Sequence, residues 1–378
     1  MTRREVITRG AAAFGARCGD LIRADVITQG ASALRLRRDD LFRVVRVLVG
    51  CVVCLVCAAV VVSVPGWAAT HALLGIHQAP TASTTSPALS VDQAKKILAR
   101  AFTAAYLGES STGPAAQAQL RTAYTNEGLR GVNGRVRLAS VQPAAATSPL
   151  LAPGPKLLAV SRGSGFPRFI VAQTVPSDGA LPVLHLLVSP DAATPYRITM
   201  SVEMVPPATV EPFDPLSKGS PLVTDGTGLA VAPATLLSRY AAQMVFPAKA
   251  VLRAPFEADS FSDQVRAGAA GVAAAVASQA TFTQVHTVVP SSVYGVRQAG
   301  GGALVFGVLV RTDSFAVKAD QKVSTVGNKA FVLLTGKKLI TKAASITTLE
   351  FVTFAVPRST GQATLIAARE QIVAGSGS

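Results

Sequence analysis

The sequence predicts an α+β protein in which one N-terminal membrane-spanning helix precedes two tandem units, each a helical lead followed by an antiparallel sheet. Three observations predict it. Residues 47–64 run for eighteen positions without a charge. Helix-periodic stretches at 91–107, and at 234–246 with 260–280, each precede a series of short, β-branched runs separated by Pro and Gly. Between the two series, residues 206–232 are rich in Pro, Gly and Ser, as a connection would be.

The apolar run covers about 27 Å as a helix, and with the residues that flank it (44–69) it matches the hydrocarbon thickness of a bilayer. Arg35, Arg37, Arg38, Arg43 and Arg46 crowd its N-terminal side, whereas the next basic residue beyond it is Lys95. Arginines on that side are expected to stay in the cytoplasm, so residues 1–43 form a cytoplasmic tail and everything past about residue 70 is exported. Trp67 is placed to anchor the outer interface. The expected location is a bacterial cell membrane, crossed once. Two processed forms compete with a permanent anchor. Residues 66–68 offer a small-x-small cleavage site, but the basic region before the apolar run is far longer than a signal peptide's. Residues 48–51 resemble a lipobox, but most of the apolar run lies on the wrong side of Cys51. The tail repeats itself, EVITRGA at 5–11 returning as DVITQGA at 25–31, which fits either a docking segment or a weakly structured basic tail.

All four cysteines, Cys18, Cys51, Cys54 and Cys57, precede residue 60, so the exported part has no disulfide to rely on. The spacing of three among the last three places them along one side of the span, where Cys serves as a small apolar residue. The net charge of +15 is partly the tail's, and the remainder is a thin basic field suited to an anionic lipid surface or polymer. Nucleic acid is not an expected partner, because no basic run is interleaved with aromatics.

Residues 70–90 read as a Pro/Ser/Thr linker. In the first unit, 91–205, apolar residues at helical spacing and a cap at Ser90 or Asp92 predict a helix over 91–107, with a weaker one at 115–127. Strands are expected at 134–141, 156–161, 166–175, 182–189 and 196–205. In the second unit, 233–378, helices are expected at 234–246 and 260–280. Strands follow at 281–289, 293–298, 303–311, 315–325, 330–334, 347–356 and 363–373. The small-residue run 267–278 is expected to let a sheet approach its helix closely. Helices followed by a curved antiparallel sheet is the layout of cystatin-like and NTF2-like domains.

Catalytic, cofactor and metal residues are not expected anywhere. His71, His77, His185 and His286 are scattered and none belongs to an HExxH pattern; Ser-x-x-Lys and a G-x-S-x-G elbow are missing. Asp225, in the string TDGTG, reads as a turn residue. His185 sits in an apolar strand as a satisfied or outward-facing residue. Glu257, Asp259 and Asp263 surround a helix start, where acids favour the macrodipole and Asp259 or Ser260 caps.

The stretch 165–173 (GFPRFIVAQ), the helix 237–240 (LSRY) and the closing 363–373 (ATLIAAREQIV) are similar to actinobacterial envelope proteins that carry an exported domain of unknown function. That resemblance spans 90–375 and implies an exported, anchored protein with no activity to carry over. Members are often lipid-anchored, and this chain departs from them in its full helix and long tail. By layout alone, one span and two NTF2-like units resemble the inner-membrane scaffold subunits of conjugation machines. The expected function is therefore a tethered, non-enzymatic module that binds other envelope proteins or its own copies, with a lipid or small ligand in an NTF2-like cavity as the alternative.

Overall fold

The computed structural model describes residues 84–142, 154–176, 181–249 and 254–378. The expected tail and span, with Arg35, Arg37, Arg38, Arg43, Arg46 and Trp67, lie outside the described residues. Among the described residues no helix is long and apolar enough to cross a membrane.

Ser90 starts the fold with a capping box. Its hydroxyl accepts from the Gln93 amide at 3.2 Å, and the Gln93 side chain accepts from the Ser90 amide at 2.9 Å. Helix α1 (Val91–Glu109) follows, then α2 (Pro114–Ala123) and α3 (Asn126–Leu138). The strand expected at 134–141 is instead mostly the C-terminal half of α3. Gly128, Gly131 and Gly134, spaced by three, give α3 a bare side that lies against the carbonyls of Ile198, Thr199 and Ile372 and the ring of Phe351. A Cβ at Gly128 or Gly134 would run into backbone carbonyls, and this tertiary seating overrides the strand-like string around Arg135 to Leu138.

Strands β1 (Lys156–Val160), β2 (Arg168–Thr174), β3 (Val183–Ser189) and β4 (Arg197–Glu203) form an antiparallel sheet in sequence order. The second sheet is larger. It contains β5 (Leu222–Val223), β6 (Ala280–Val288), β7 (Tyr294–Arg297), β8 (Ala303–Val317), β11 (Ala343–Val356) and β12 (Thr364–Gly377). Its path is β12-β11-β8-β7-β5, and β6 pairs with the C-terminal half of β8. Helices α4 (Pro233–Gln243) and α5 (Ser260–Val276) precede it. Between β8 and β11 an excursion forms a short ladder of β9 (Val323–Ser324) and β10 (Leu339–Ile340) around helix α6 (Lys329–Thr335).

Two expectations fail here for identifiable reasons. The strands expected at 303–311 and 315–325 are largely one fifteen-residue strand, because the polar residues Arg311 and Asp313 continue the alternation of β8 instead of turning it. The strand expected at 330–334 is α6. Asn328 caps its start by accepting from Phe331, and Gly336 ends it in the left-handed region at φ 69°, so the caps outweigh the β propensity of a short apolar run.

Alternation along the strands builds four layers. One face of the small sheet packs Ile170, Ala172, Leu187 and Ile198 against Leu98, Phe102 and Leu120 of α1 and α2. Its other face, through Phe169, Val171, Leu186 and Met200, meets Phe306, Val308, Leu349 and Phe351 of the large sheet. The far face of the large sheet packs Val305, Leu309, Val352 and Phe354 against Leu236, Leu237 and Tyr240 of α4 and Val265 of α5. The two helix-then-sheet units therefore share a central core, and the described residues belong to one compact unit. The Pro/Gly-rich segment 206–232 is laced to both sheets: Ser220 donates to Val160, Ala299 donates to Pro212 and Arg297 donates to Pro221.

Candidate functional site

Three strands of the large sheet, β8, β11 and β12, run fourteen or fifteen residues, twice the seven or fewer of the small one. Along the stretch that overruns the small sheet, the face toward α5 turns polar at its centre, with Phe282 and Phe315 paired beyond. On β8 the positions that follow Val305 and Leu309 on this face are Arg311 and Asp313; on β11 the positions before Val352 are Glu350 and Thr348. The register sets His286 opposite Arg311, Gln284 opposite Asp313, and Glu350 opposite Glu370. Four strands thus converge one ionisable cluster.

At its centre Glu350 is fully buried. One carboxylate oxygen meets His286 Nδ1 at 2.8 Å and the other meets Arg311 Nη1 at 3.3 Å. The far nitrogen of His286, Nε2, is 2.9 Å from the Gln284 side-chain amide, which also donates to the Met244 carbonyl. Arg311 in turn pairs with Glu370, and its Nε lies 3.3 Å from an oxygen of Asp313. Burial pushes the carboxyls of Asp313 and Glu370 above their usual range, against the opposing pull of Arg311. Three carboxylates surround one permanent cation, so the cluster carries an excess of negative charge. One oxygen of Asp313, Oδ1, is buried with no hydrogen-bond partner.

A hollow of about 230 Å³ opens between this cluster and α5, with Arg311, Asp313, Glu370 and Gln284 at its polar floor and Phe261, Val265, Gly268, Ala269, Val272 and Phe282 among its walls. The helix is aimed by Asp259, whose carboxylate accepts from the Ser262 amide at 2.7 Å and from the Tyr240 hydroxyl at 2.9 Å. Burial and that carboxylate hold the Tyr240 hydroxyl far above its ordinary pKa. Past Val265 the helix buries only Ala269. A Cβ added at Gly268 or Gly271 would meet nothing within 4 Å, so these two glycines face open space, while Ala269 of the same small-residue run is the one that is buried.

A second polar cluster pins α3 to the sheets. Glu109 accepts from the Tyr124 hydroxyl and pairs with Arg135, and both members of that pair are buried. Arg369 of β12 stands near them, its pKa lowered by burial first and by Arg135 second. The space among these groups is about 30 Å³, room for a water and little else.

Of the residues singled out from sequence, His185 lies buried between helices and sheet. Its ring nitrogens meet the Thr174 and Ser201 hydroxyls at 2.9 Å each, and Phe102 stands edge-on to it. Burial, with Arg369 adding to it, drives its pKa down to about 3. Asp225 makes the expected turn, accepting from the Thr227 amide at 3.0 Å. Asp259 is the cap of α5, Glu257 accepts from Thr364, and Asp263 pairs with Arg266. His71 and His77 lie outside the described residues. Only His286 joins the cluster. Its partners Arg311, Asp313, Glu350 and Glu370 escaped the sequence reading, although one signal was present: a lone Glu inside the apolar string TTLEFVTF requires a buried countercharge. Among the described residues no three His, Cys, Asp or Glu side chains are grouped as metal ligands.

The layered arrangement defines an antiparallel α+β protein with a small, acid-floored hollow. Compared with known families, curated proteins and solved structures, the chain finds no match.

Proposed function

We propose that this protein is a membrane-tethered, extracytoplasmic interaction module, non-enzymatic, whose NTF2-like second half receives a basic side chain of another envelope protein or of a second copy. The observation that carries this reading is the hollow under α5. Its floor has surplus carboxylate charge, from Asp313 and Glu370 against Arg311, and its rim is a helix face of Gly, Ala and Val that lets another backbone come close. At about 230 Å³ it is smaller than the usual small-molecule site of about 300–1,000 Å³, and it suits one inserted side chain better than a lipid tail. The charge-free run 47–64 behind five arginines supports the tether. The His286–Glu350 pair supports the non-enzymatic reading, because both ring nitrogens of His286 are spent, Nδ1 on Glu350 and Nε2 on Gln284.

The test is photo-crosslinking in intact cells from position 272, where Val272 is 39% exposed at the rim. An adduct with a second polypeptide is expected, and Glu370→Arg should reduce it by placing a cation at the mouth. Recovery of monomer alone rejects the proposal. The second reading, a small cationic ligand in the same hollow, is favoured by the two carboxylates, Asp313 and Glu370, that line it. It predicts that native mass spectrometry of the purified chain retains a bound guanidinium or amine compound that Asp313→Asn loses.

A further inference from the structure

The excursion 318–342, which contains β9, α6 and β10, holds six of the chain's eleven lysines and a single acid, Asp320. Lys318, Lys322, Lys329, Lys337, Lys338 and Lys342 are all exposed. None of them takes part in an ion pair among the described residues, and only Lys318 is tied down, donating to the Ala277 carbonyl at 2.6 Å. A surface built only for solubility intersperses both signs. This one does not.

The same lobe exposes aliphatic side chains among the lysines: Val326 is 61% exposed, Leu339 48% and Leu333 41%. Their outward direction follows from the local structure. Val323 pairs with Ile340, which is buried, so the next pair, Ser324 with Leu339, faces the opposite way. On α6, Ala330 and Phe331 are buried, which leaves Lys329 and Leu333, one turn apart, on the exposed side. Val326 sits in the turn between β9 and α6, beside Gly327.

We propose that this lobe docks on an anionic lipid bilayer, lysines on the phosphates and Val326, Leu333 and Leu339 in the interfacial layer. Charge complementarity selects a polyanionic partner, and the three aliphatic side chains select a bilayer over a soluble polyanion, which offers them nowhere to go. The inference is independent of the hollow under α5 and of the N-terminal span.

The test is hydrogen–deuterium exchange on the full chain reconstituted in nanodiscs of phosphatidylcholine alone or mixed with phosphatidylglycerol. Residues 318–342 should gain protection only on the anionic discs and lose it at high salt. Each lysine changed to Gln should lower the docking constant read from that protection about fivefold, so K337Q/K338Q/K342Q together should lower it about a hundredfold. Val326→Asp with Leu339→Asp should weaken docking with every lysine in place. Unchanged exchange of 303–317 and 343–356 controls for folding. Equal protection on both discs overturns the proposal, as does protection that survives the triple lysine variant. Protection by soluble polyphosphate with none on anionic discs also overturns it, and reassigns the lobe to a polyanion. Should residues 44–69 fail to hold the chain in the disc, co-flotation with phosphatidylglycerol vesicles, and not with phosphatidylcholine vesicles, is the corresponding readout.

Discussion

Replacing a helical glycine by alanine should have opposite effects in α3 and α5, and the sign tests how each helix is seated. Alanine in place of glycine inside a helix gains about 0.5–1 kcal/mol from backbone entropy and propensity. In α5, a Cβ at Gly268 or Gly271 enters open space, so Gly268→Ala and Gly271→Ala should each keep that gain. In α3, a Cβ at Gly128 would lie 2.7 Å from the carbonyl oxygens of both Ile198 and Thr199. Carbon and oxygen tolerate about 3.3 Å, so the helix must retreat by roughly half an ångström from β4. It is held in place by the ring of Phe351 against Gly131 and by the Ile372 carbonyl against Gly134, neither of which moves cheaply. Overpacking of this kind costs about 1–3 kcal/mol, and more of that range applies when the obstacle is backbone. The net expectation for Gly128→Ala is a loss of about 1–2 kcal/mol. At about 2 °C per kcal/mol for a unit of this size, thermal melts followed by near-ultraviolet circular dichroism should show a fall of several degrees for Gly128→Ala and a rise of about one to two degrees for each α5 variant. A Gly128→Ala protein that melts at or above the parent refutes the seating of α3 against the small sheet.

Stability should also depend on pH through His185. Its folded pKa of about 3 lies below the ordinary 6.5, so the unfolded chain binds the proton first as pH falls, and stability is lost between about pH 6.5 and 3 at up to about 1.4 kcal/mol per pH unit. His185→Gln, which can still bond Thr174 and Ser201, should flatten that slope in urea titrations; an unchanged slope removes His185 as its source. Asp313 and Glu370 act in the opposite direction. Their raised pKa values favour the fold at low pH, and that contribution is lost as pH rises through them, so Asp313→Asn should gain stability relative to the parent toward neutral pH. Glu350→Leu strips His286 and Arg311 of their shared partner and should cost about 3 kcal/mol, whereas Glu350→Gln keeps a bond to His286 and should cost about 1 kcal/mol. Equal unfolding midpoints for the two would show that the cluster adds nothing to stability.

Much of the α+β order was legible because it is written in local signals. Ser90 with Gln93, the short apolar, β-branched runs in 168–174 and 183–189, and the cap at Asp259 each act within a few residues. The failures differ in cause. Residues 134–141 have a strand-like string, but distant carbonyls of Ile198, Thr199 and Ile372 decide them; at 330–334 the deciding signals, the caps Asn328 and Gly336, are local and were outweighed in the sequence by a short apolar run. The ionisable cluster was illegible for the same reason as α3. Its members come from β6, β8, β11 and β12, up to 84 positions apart in the chain, and only register brings them together. Glu350 alone announced that something charged must face it. The uneven placement of lysine was readable from the start, but its meaning needed the exposure of Val326, Leu333 and Leu339 beside it.

The layered core also explains where recognition can occur. The small sheet spends one face on α1 and α2 and the other on the large sheet, so neither face is free. The large sheet is different. Its central strands are about 46 Å long against about 23 Å for those of the small sheet, so roughly half their length extends past the shared core. Along that extension an apolar surface would be a liability, and the sequence answers with Arg311, Asp313, Glu350 and Glu370 on the α5 side and with Thr283, Ser314, Ser345 and Ser376 on the other, where the last two hydroxyls lie 2.9 Å apart. Both the hollow under α5 and the lysine-bearing lobe sit at this overhanging end, since β8 and β11 lead into and out of the lobe. Shortening β8, β11 and β12 by the same number of residues at that end should therefore leave the three apolar cores intact and remove both surfaces together. A cooperative melt retained with loss of partner adducts and of lipid protection is the expected result; loss of the cooperative melt would show that the overhang is part of the core.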